Sequence, residues 1–236
     1  MFKPYYLRFA RIYIFVAAIF TLIWLTSPVG PGPGTPLRMF SSDGSDLQVA
    51  ALTYSQGPDP RWLRLGEQSV SKIPSRLLLA LNTFEMGSGQ ELALQAAEDA
   101  AAYVLGTDEL EQPVGVYPGI VSGTSSGLAW AVATILLNDP ELRKNRVIFA
   151  TGSIHGSEGV GSINGLAEKL STPGLKDATV IFVPQMQFED AFSILNQDGE
   201  FATARLLVGV STITEALAYL CDNESEAKSC KHFLRT

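Results

Sequence analysis

The chain is organised around Gly123-Thr124-Ser125-Ser126-Gly127, a glycine-flanked serine loop that leads into an apolar stretch, Leu128 to Leu137. The length and alanine content of that stretch predict a buried helix. Asn138-Asp139-Pro140 ends it, because the residue before a proline disfavours helical geometry. Glycines on both sides of Ser125 permit a tight turn and the close approach of another backbone. The sequence therefore predicts a serine loop at the start of a buried helix.

This loop has the composition of a nucleophile site. The start of a helix presents free backbone N–H groups that can stabilise a developing oxyanion. The candidate oxyanion and loop residues around the nucleophile Ser125 are Gly123, Thr124, Ser126 and Gly127. Ser126 places a second hydroxyl next to the first. A glycine loop with a purely structural role fits the same pattern.

A serine hydroxyl is a poor nucleophile until a base takes its proton, and histidine is scarce in this chain. Only His155 and His232 are present. Lysine can act as the base where burial and nearby positive potential disfavour its charged form, and Ile163, Leu166 and Leu170 are expected to supply apolar surroundings for Lys169. A helix opening near Asn164 would place Lys169 in its first turns, where the positive end of the helix dipole penalises an ammonium. The competing interpretation of Lys169 is an ordinary solvated lysine on a helix surface.

The order of the remaining elements predicts the fold class. Ser88 and Glu91 form a capping-box pattern before a helix over 89–105 that Gly106 ends. Its inward face is expected to carry Leu94, Ala97, Ala101 and Val104. Further strands are expected over 47–54, 147–150, 178–183 and 206–210, and further helices over 189–195 and from Thr212 with Glu215 as capping partner. Residues 61–87 carry no clear pattern, and within them residues 76–81 fit helix or strand. Without a regular βαβ repeat, α+β or a loosely ordered α/β arrangement is expected.

The N-terminal region has the pattern of a membrane anchor. The 18 residues 12–29 are largely apolar and long enough to cross a bilayer as a helix, which needs roughly 20 residues with a lower limit of about 17. The basic flank 1–11 is expected to stay in the cytoplasm, which places the rest on the outer, periplasmic or extracellular face. A removed signal peptide is the alternative, disfavoured by the lack of a small-x-small cleavage site. A Pro/Gly-rich linker is expected over 30–45, the folded domain over 46–222 and a polar tail over 223–236.

Charge and cysteine usage exclude several function classes. The 17 Lys and Arg against 24 Asp and Glu give a net charge of −7, which disfavours nucleic-acid binding. No phosphate-binding G-x-x-x-x-G-K-[ST] motif is present, and the spacing of Cys and His predicts no zinc site, so neither cofactor nor metal is expected. Cys221 and Cys230 fit a small disulfide loop in an oxidising compartment, and two reduced thiols equally well.

Residues 123–220 resemble the proteolytic domain of the Lon family. The family's G-P-S-A-G nucleophile loop matches the loop at 123–127. Its T-G-x-I strand matches Thr151-Gly152-Ser153-Ile154. Its G-x-V-x-x-I-G-G-[LI]-K-x-K-L segment is similar to residues 159–170. Thr124 and Ser126 replace the family's Pro and Ala, and Ala167 replaces the first of its two lysines.

The resemblance implies roles for three residues and a fold. Ser125 would be the nucleophile, Lys169 the catalytic lysine and Thr151 the threonine that supports the lysine. The fold would be a Lon-like α+β domain with a mixed sheet and packed helices, preceded by one transmembrane helix. Without the family's ATPase module, the expected activity is ATP-independent cleavage of flexible or unfolded polypeptide. Assembly into a homo-oligomeric ring is a trait of the family.

Two other functions compete with this one. An α/β-hydrolase esterase also uses G-x-S-x-G but needs an acid and then a histidine after the serine, and only His155 and His232 follow Ser125. A catalytically weak or inactive Lon-like domain could instead serve as a membrane-bound scaffold or inhibitor.

Overall fold

The computed structural model describes residues 14–21, 28–29, 32–33, 36–55, 59–60, 85–86, 89–116, 120–121, 123–143, 146–172, 174–197, 207–222, 227 and 229–230. The strands are β1 (Pro28–Val29), β2 (Gly32–Pro33), β3 (Leu37–Phe40), β4 (Asp46–Ala51), β5 (Tyr54–Ser55), β6 (Asp59–Pro60), β7 (Glu85–Met86), β8 (Val114–Val116), β9 (Ile120–Val121), β10 (Ile148–Ala150), β11 (Ser153–His155), β12 (Gly159–Gly161), β13 (Val180–Pro184) and β14 (Leu207–Val210). The helices are α1 (14–21), α2 (Gln90–Leu105), α3 (Gly127–Asn138), α4 (Leu166–Leu170), α5 (Phe188–Gln197) and α6 (Ile213–Cys221).

A six-stranded mixed sheet forms the centre of the domain. Its strand order is β14-β13-β10-β4-β3-β8. The first four strands run parallel to one another, and β3 pairs antiparallel with both β4 and β8. The expected mixed α+β class is confirmed.

The sheet separates two hydrophobic cores because successive side chains of a strand point to opposite faces. In β10, Ile148 and Ala150 belong to the core shared with α2, α3 and α6. Phe149, between them, belongs to the core on the other face, which includes residues of α4 and α5. Parallel strands covered on both faces are expected to be apolar throughout, and all three residues of β10 are buried.

The helix predicted after the serine loop is confirmed as α3. Every residue from Gly127 to Leu137 is buried, and Asp139 follows as the C-cap. Helix α3 packs against α2, whose contact face consists of small residues: Ala93, Ala97, Ala100 and Ala101. Leu94 and Val104, expected on that face, are only partly buried.

Helix α2 begins within one residue of the predicted start. Its N-cap is Gly89, with no side-chain capping bond, and Ser88 of the predicted capping box lies outside the described residues. A glycine is needed at the N-cap, because a Cβ there would lie 2.5 Å from the backbone nitrogen of Gly123. The predicted end is confirmed, since Gly106 has a φ of 67° and its N–H donates to the carbonyl of Ala102.

The cap of α6 agrees with the sequence prediction. The hydroxyl of Thr212 accepts a 3.1 Å hydrogen bond from the N–H of Glu215. The Glu215 carboxylate in turn accepts a 2.6 Å bond from the N–H of Ser211. This pair fixes the first turn of α6 next to the end of β14.

The folded domain extends further toward the N-terminus than expected. Strand β3 lies within residues 30–45, predicted as a linker, yet it is an internal strand of the central sheet. The expected helix over 12–29 also does not extend to its predicted end, because β1 pairs with β6 there. Among the residues that the structure describes, no helix is both long and apolar enough to cross a bilayer.

Candidate active site

The serine loop is fixed against the segment that follows β10. The carbonyl of Ser125 accepts a 2.8 Å hydrogen bond from the N–H of Gly152 and a 3.2 Å bond from the hydroxyl of Thr151. The carbonyl of Gly152 accepts a 3.0 Å bond from the N–H of Leu128, in the first turn of α3. Two segments that are distant in sequence are thereby held together at the Ser125 carbonyl and at the first turn of α3.

Thr151 occupies the carboxyl end of a parallel strand, where α/β sheets commonly place their sites. It is fully buried, and its N–H donates a 3.1 Å bond to the carbonyl of Phe182 in β13. The resemblance assigned Thr151 to the support of Lys169. In the structure its hydroxyl donates to the serine loop.

Only glycine fits at position 152, because the neighbouring segments lie too close for a larger side chain. A Cβ at this position would lie 2.8 Å from Cγ1 of Val160 and 3.2 Å from Cβ of Leu128. Gly127 is similarly tight, since its Cβ would lie 3.1 Å from Cγ1 of Ile154. The glycines let the start of α3 pack directly onto the strand segment that holds Ser125.

The first amides of α3 are already engaged. The N–H of Gly127 donates to the carbonyl of Thr124, closing a turn around Ser125 and Ser126. The N–H of Leu128 is bonded to Gly152, as described above. These two groups do not serve as oxyanion donors in this conformation, in contrast to the expectation for Gly127.

Ser126 lies in the interior and differs in this respect from half-buried Ser125. Its hydroxyl donates a 2.9 Å hydrogen bond to Oε1 of Gln90. The same oxygen accepts a 3.3 Å bond from Nε1 of Trp130, while Nε2 of Gln90 donates to the carbonyl of Gly123 at 2.9 Å. Sequence reasoning missed Gln90, because its partners come 33 to 40 residues later in the chain.

Lys169 is one of the largest fully buried side chains of the described residues, with 2% of its surface exposed. Burial lowers the pKa of its amine from 10.5 to about 8, because the interior disfavours the charged form. Burial is one of the two causes predicted for this shift and is confirmed, whereas the other predicted cause, the helix dipole, is wrong. Helix α4 has only five residues and Lys169 lies in its last turn, so the positive end of a helix dipole does not act on it.

Hydrogen bonds fix the backbone around Lys169. Gly165 begins α4 with a φ of 67°, and its carbonyl accepts a 3.0 Å bond from the N–H of Lys169. The hydroxyl of Thr172 donates a 2.5 Å bond to the carbonyl of Lys169. The side-chain amide of Gln187 bonds both the N–H and the carbonyl of Ile163, which fixes the loop before α4.

His155 has a partner other than the predicted nucleophile. Its Nε2 lies 2.8 Å from Oγ of Ser153, two residues earlier in β11. The ring lies over Gly161, where a Cβ would come within 2.2 Å of Nε2. The other histidine of the esterase hypothesis, His232, lies outside the described residues.

The two cysteines at the C-terminal end form a disulfide. The Cα atoms of Cys221 and Cys230 are 5.5 Å apart. Next to the bridge, the carboxylate of buried Asp139 accepts hydrogen bonds from the N–H and the hydroxyl of Ser229, at 2.8 Å and 2.6 Å. The bridge attaches this segment to the end of α6, and the bonds of Ser229 attach it to the end of α3, opposite the serine loop.

A comparison with protein-family models gave no match, and neither did a comparison with curated proteins. The site is therefore interpreted from its own residues.

Proposed function

We propose that this protein is a serine endopeptidase with a Ser125–Lys169 dyad and a Lon-like proteolytic domain. The observation that carries the proposal is Lys169, a buried lysine whose pKa is lowered to about 8. A buried amine of this kind is costly for stability, and strongly perturbed ionisable groups concentrate at functional sites. The fixed geometry of the Ser125 loop supports it, because a nucleophile must be held in one orientation.

The chemistry follows from the two side chains. Neutral Lys169 takes the proton of the Ser125 hydroxyl while its oxygen attacks the carbonyl carbon of the peptide bond. The protonated amine then gives that proton to the nitrogen of the leaving peptide, and the C–N bond breaks. Water, deprotonated by Lys169, attacks the acyl-serine ester and releases the second product. At pH 7 a pKa of about 8 leaves on the order of a tenth of the amine ready to act, against less than a thousandth at the ordinary pKa.

The proposed substrate is flexible or unfolded polypeptide, cleaved without ATP. The resemblance to Lon proteolytic domains supports a peptide over a small ester, as does the partner of His155. A ring of identical subunits remains part of the proposal on the same resemblance.

We further propose that the N-terminal segment tethers the domain to the outer face of the cell membrane. Helix α1, within this segment, has exposed apolar side chains: Ile14, Phe15, Val16, Ile19 and Phe20. Several exposed large apolar residues on one short helix call for an apolar surrounding, which lipid provides. The Cys221–Cys230 disulfide supports an oxidising compartment for the domain.

The experiment that tests the dyad is labelling of the full chain, solubilised in detergent, with a fluorophosphonate probe. Wild type and Ser126→Ala are expected to be labelled at the same residue, and Ser125→Ala and Lys169→Met are expected to stay unlabelled. Lys176→Met, a change at an exposed lysine, is the matched control for Lys169. Labelling of Ser125 in Lys169→Met at the wild-type rate would disprove the dyad.

One observation favours the second candidate, an inactive scaffold or inhibitor. The engaged amides of Gly127 and Leu128 remove two donors that an oxyanion would otherwise use. A scaffold of this kind would bind unfolded polypeptide and leave it intact. Incubation with a fluorogenic casein separates the two functions when binding and cleavage are both measured in the same sample. A peptidase is expected to cleave the casein, and a scaffold is expected to bind it without cleavage.

A further inference from the structure

We propose that Gln90 is a positioning residue of this site, holding the serine loop from both ends through its side-chain amide. The inference rests on the proposed hydrolase function. Gln90 is the first residue of α2 and is 1% exposed. Its amide reaches Gly123 before the nucleophile and Ser126 after it.

The chemistry of the partners fixes the orientation of the amide. The carbonyl of Gly123 can only accept, so it must face the NH₂ group of Gln90. The indole N–H of Trp130 can only donate, so it must face Oε1. Ser126 then donates to the same oxygen. Among uncharged side chains of this length, only glutamine carries an NH₂ donor and a carbonyl acceptor on the same terminal amide. The three bonds therefore require glutamine at this position.

Because Gln90 and Ser126 are buried, loss of their hydrogen bond is costly for stability. A buried polar group left without a partner costs about 1–3 kcal/mol, and removal of the amide would take away the bond of the buried Ser126 hydroxyl and that of the Gly123 carbonyl. The neighbouring Gly89 lies close to the backbone of Gly123, since a Cβ at Gly89 would come within 2.5 Å of the Gly123 nitrogen. Loss of the amide is therefore expected to release the loop at both ends, while α2 stays in place.

The network also assigns the second hydroxyl of the loop. Ser126 is buried and its proton is directed to Gln90, so it acts as a structural bridge between the loop and α2. Ser125, which lies between the two points held by Gln90, is half-buried and has its carbonyl fixed by Thr151. Gln90 thus acts on Ser125 through the loop, without touching the reacting atoms.

The test compares Gln90→Met, which keeps the shape of the side chain and removes the amide, with Gln95→Met on the exposed face of the same helix. Gln95 donates a 3.0 Å bond to Asp99 and is the matched control. For Gln90→Met we expect kcat and the rate of fluorophosphonate labelling at Ser125 to fall by about tenfold to a hundredfold, with KM changed less than about threefold. Gln95→Met is expected to match wild type in all three.

A double-mutant cycle with Ser126→Ala adds a readout that general destabilisation would not give. If Gln90 acts through Ser126, the double variant is expected to be no slower than Gln90→Met alone. Additive losses, or wild-type kinetics for Gln90→Met, would overturn the proposal while leaving the dyad intact. If wild type itself is unlabelled, hydrogen exchange at the Gly127 amide decides: faster exchange in Gln90→Met than in Gln95→Met supports the positioning role, and equal exchange disproves it.

Discussion

The hydroxyl of Thr151 donates a hydrogen bond to the main-chain carbonyl of Ser125, across 3.2 Å. One residue thus connects the carboxyl end of β10 with the loop that carries the proposed nucleophile. The contact is fully buried on the threonine side, so water does not compete for it.

Thr151→Val keeps nearly the same shape and removes this bond. We expect a loss of about 1 kcal/mol in the free energy of unfolding and a fall in activity of about tenfold, because the Ser125 carbonyl loses one of its two donors. Thr134→Val is the matched control: Thr134 is equally buried, and its hydroxyl donates to the carbonyl of Trp130 within α3. It should cost similar stability and leave activity unchanged. Equal activity losses in both variants would contradict a role for Thr151 at the site.

The dyad predicts how activity depends on pH. Only the neutral amine of Lys169 can act as the base, and burial lowers its pKa to about 8. The labelling rate at Ser125 should therefore rise about tenfold per pH unit from about pH 6 and level off above about pH 8. A rate that stays constant across this range would exclude Lys169 as the base.

Lys169 also predicts how stability depends on pH. The folded chain holds this proton less tightly than the unfolded chain, whose lysine has the ordinary pKa of 10.5. Stability should therefore rise as the pH increases from about 8 to 10.5, where the unfolded chain binds more protons.

In Lys169→Met the burial penalty is absent. The variant should exceed wild type by up to about 3 kcal/mol at neutral pH, and the advantage should shrink across that same window. Chemical denaturation at several pH values measures the difference. Lys176→Met, on the surface, should follow wild type throughout. A Lys169→Met variant that is less stable than wild type at pH 7 would show that the buried amine contributes net stability.

The packing around Gly152 predicts a rescue. Gly152→Ala places a methyl group 2.8 Å from Cγ1 of Val160. We expect a loss of about 1–3 kcal/mol from overpacking, with a parallel loss of activity because Ser125 is bonded to this residue. Adding Val160→Ala opens space for the new methyl, so the double variant should recover part of both losses. If Val160→Ala adds its own cost without recovery, the segments are not held together by this contact.

Elements defined by local pattern were predictable from the sequence. Helix α3 follows directly from an apolar run, interrupted only by Thr134 and closed by Asp139 and Pro140, and the cap of α6 follows from Thr212 and Glu215. In each case the residues that decide the element lie within a few positions of one another.

Features that depend on distant partners were not predictable. Strand β3 follows a Pro/Gly-rich segment, so its residues were predicted as part of a linker. Its place in the sheet depends on its pairing with β4 and β8, which are distant partners in the fold. Gln90 reads as an ordinary polar residue at a helix start, and only the packing of α2 on α3 buries it. For Lys169, the sequence predicted burial correctly as a cause of its lowered pKa, but the helix dipole wrongly, because the tertiary fold leaves α4 only five residues long.

The link between Cys221 and Cys230 has a consequence for how the protein is completed. Its formation transfers two electrons to an oxidant, and nothing in the folding of the sheet or of α3 supplies one. The chain thus reaches its final covalent form in a step separate from folding, and only in surroundings that accept those electrons.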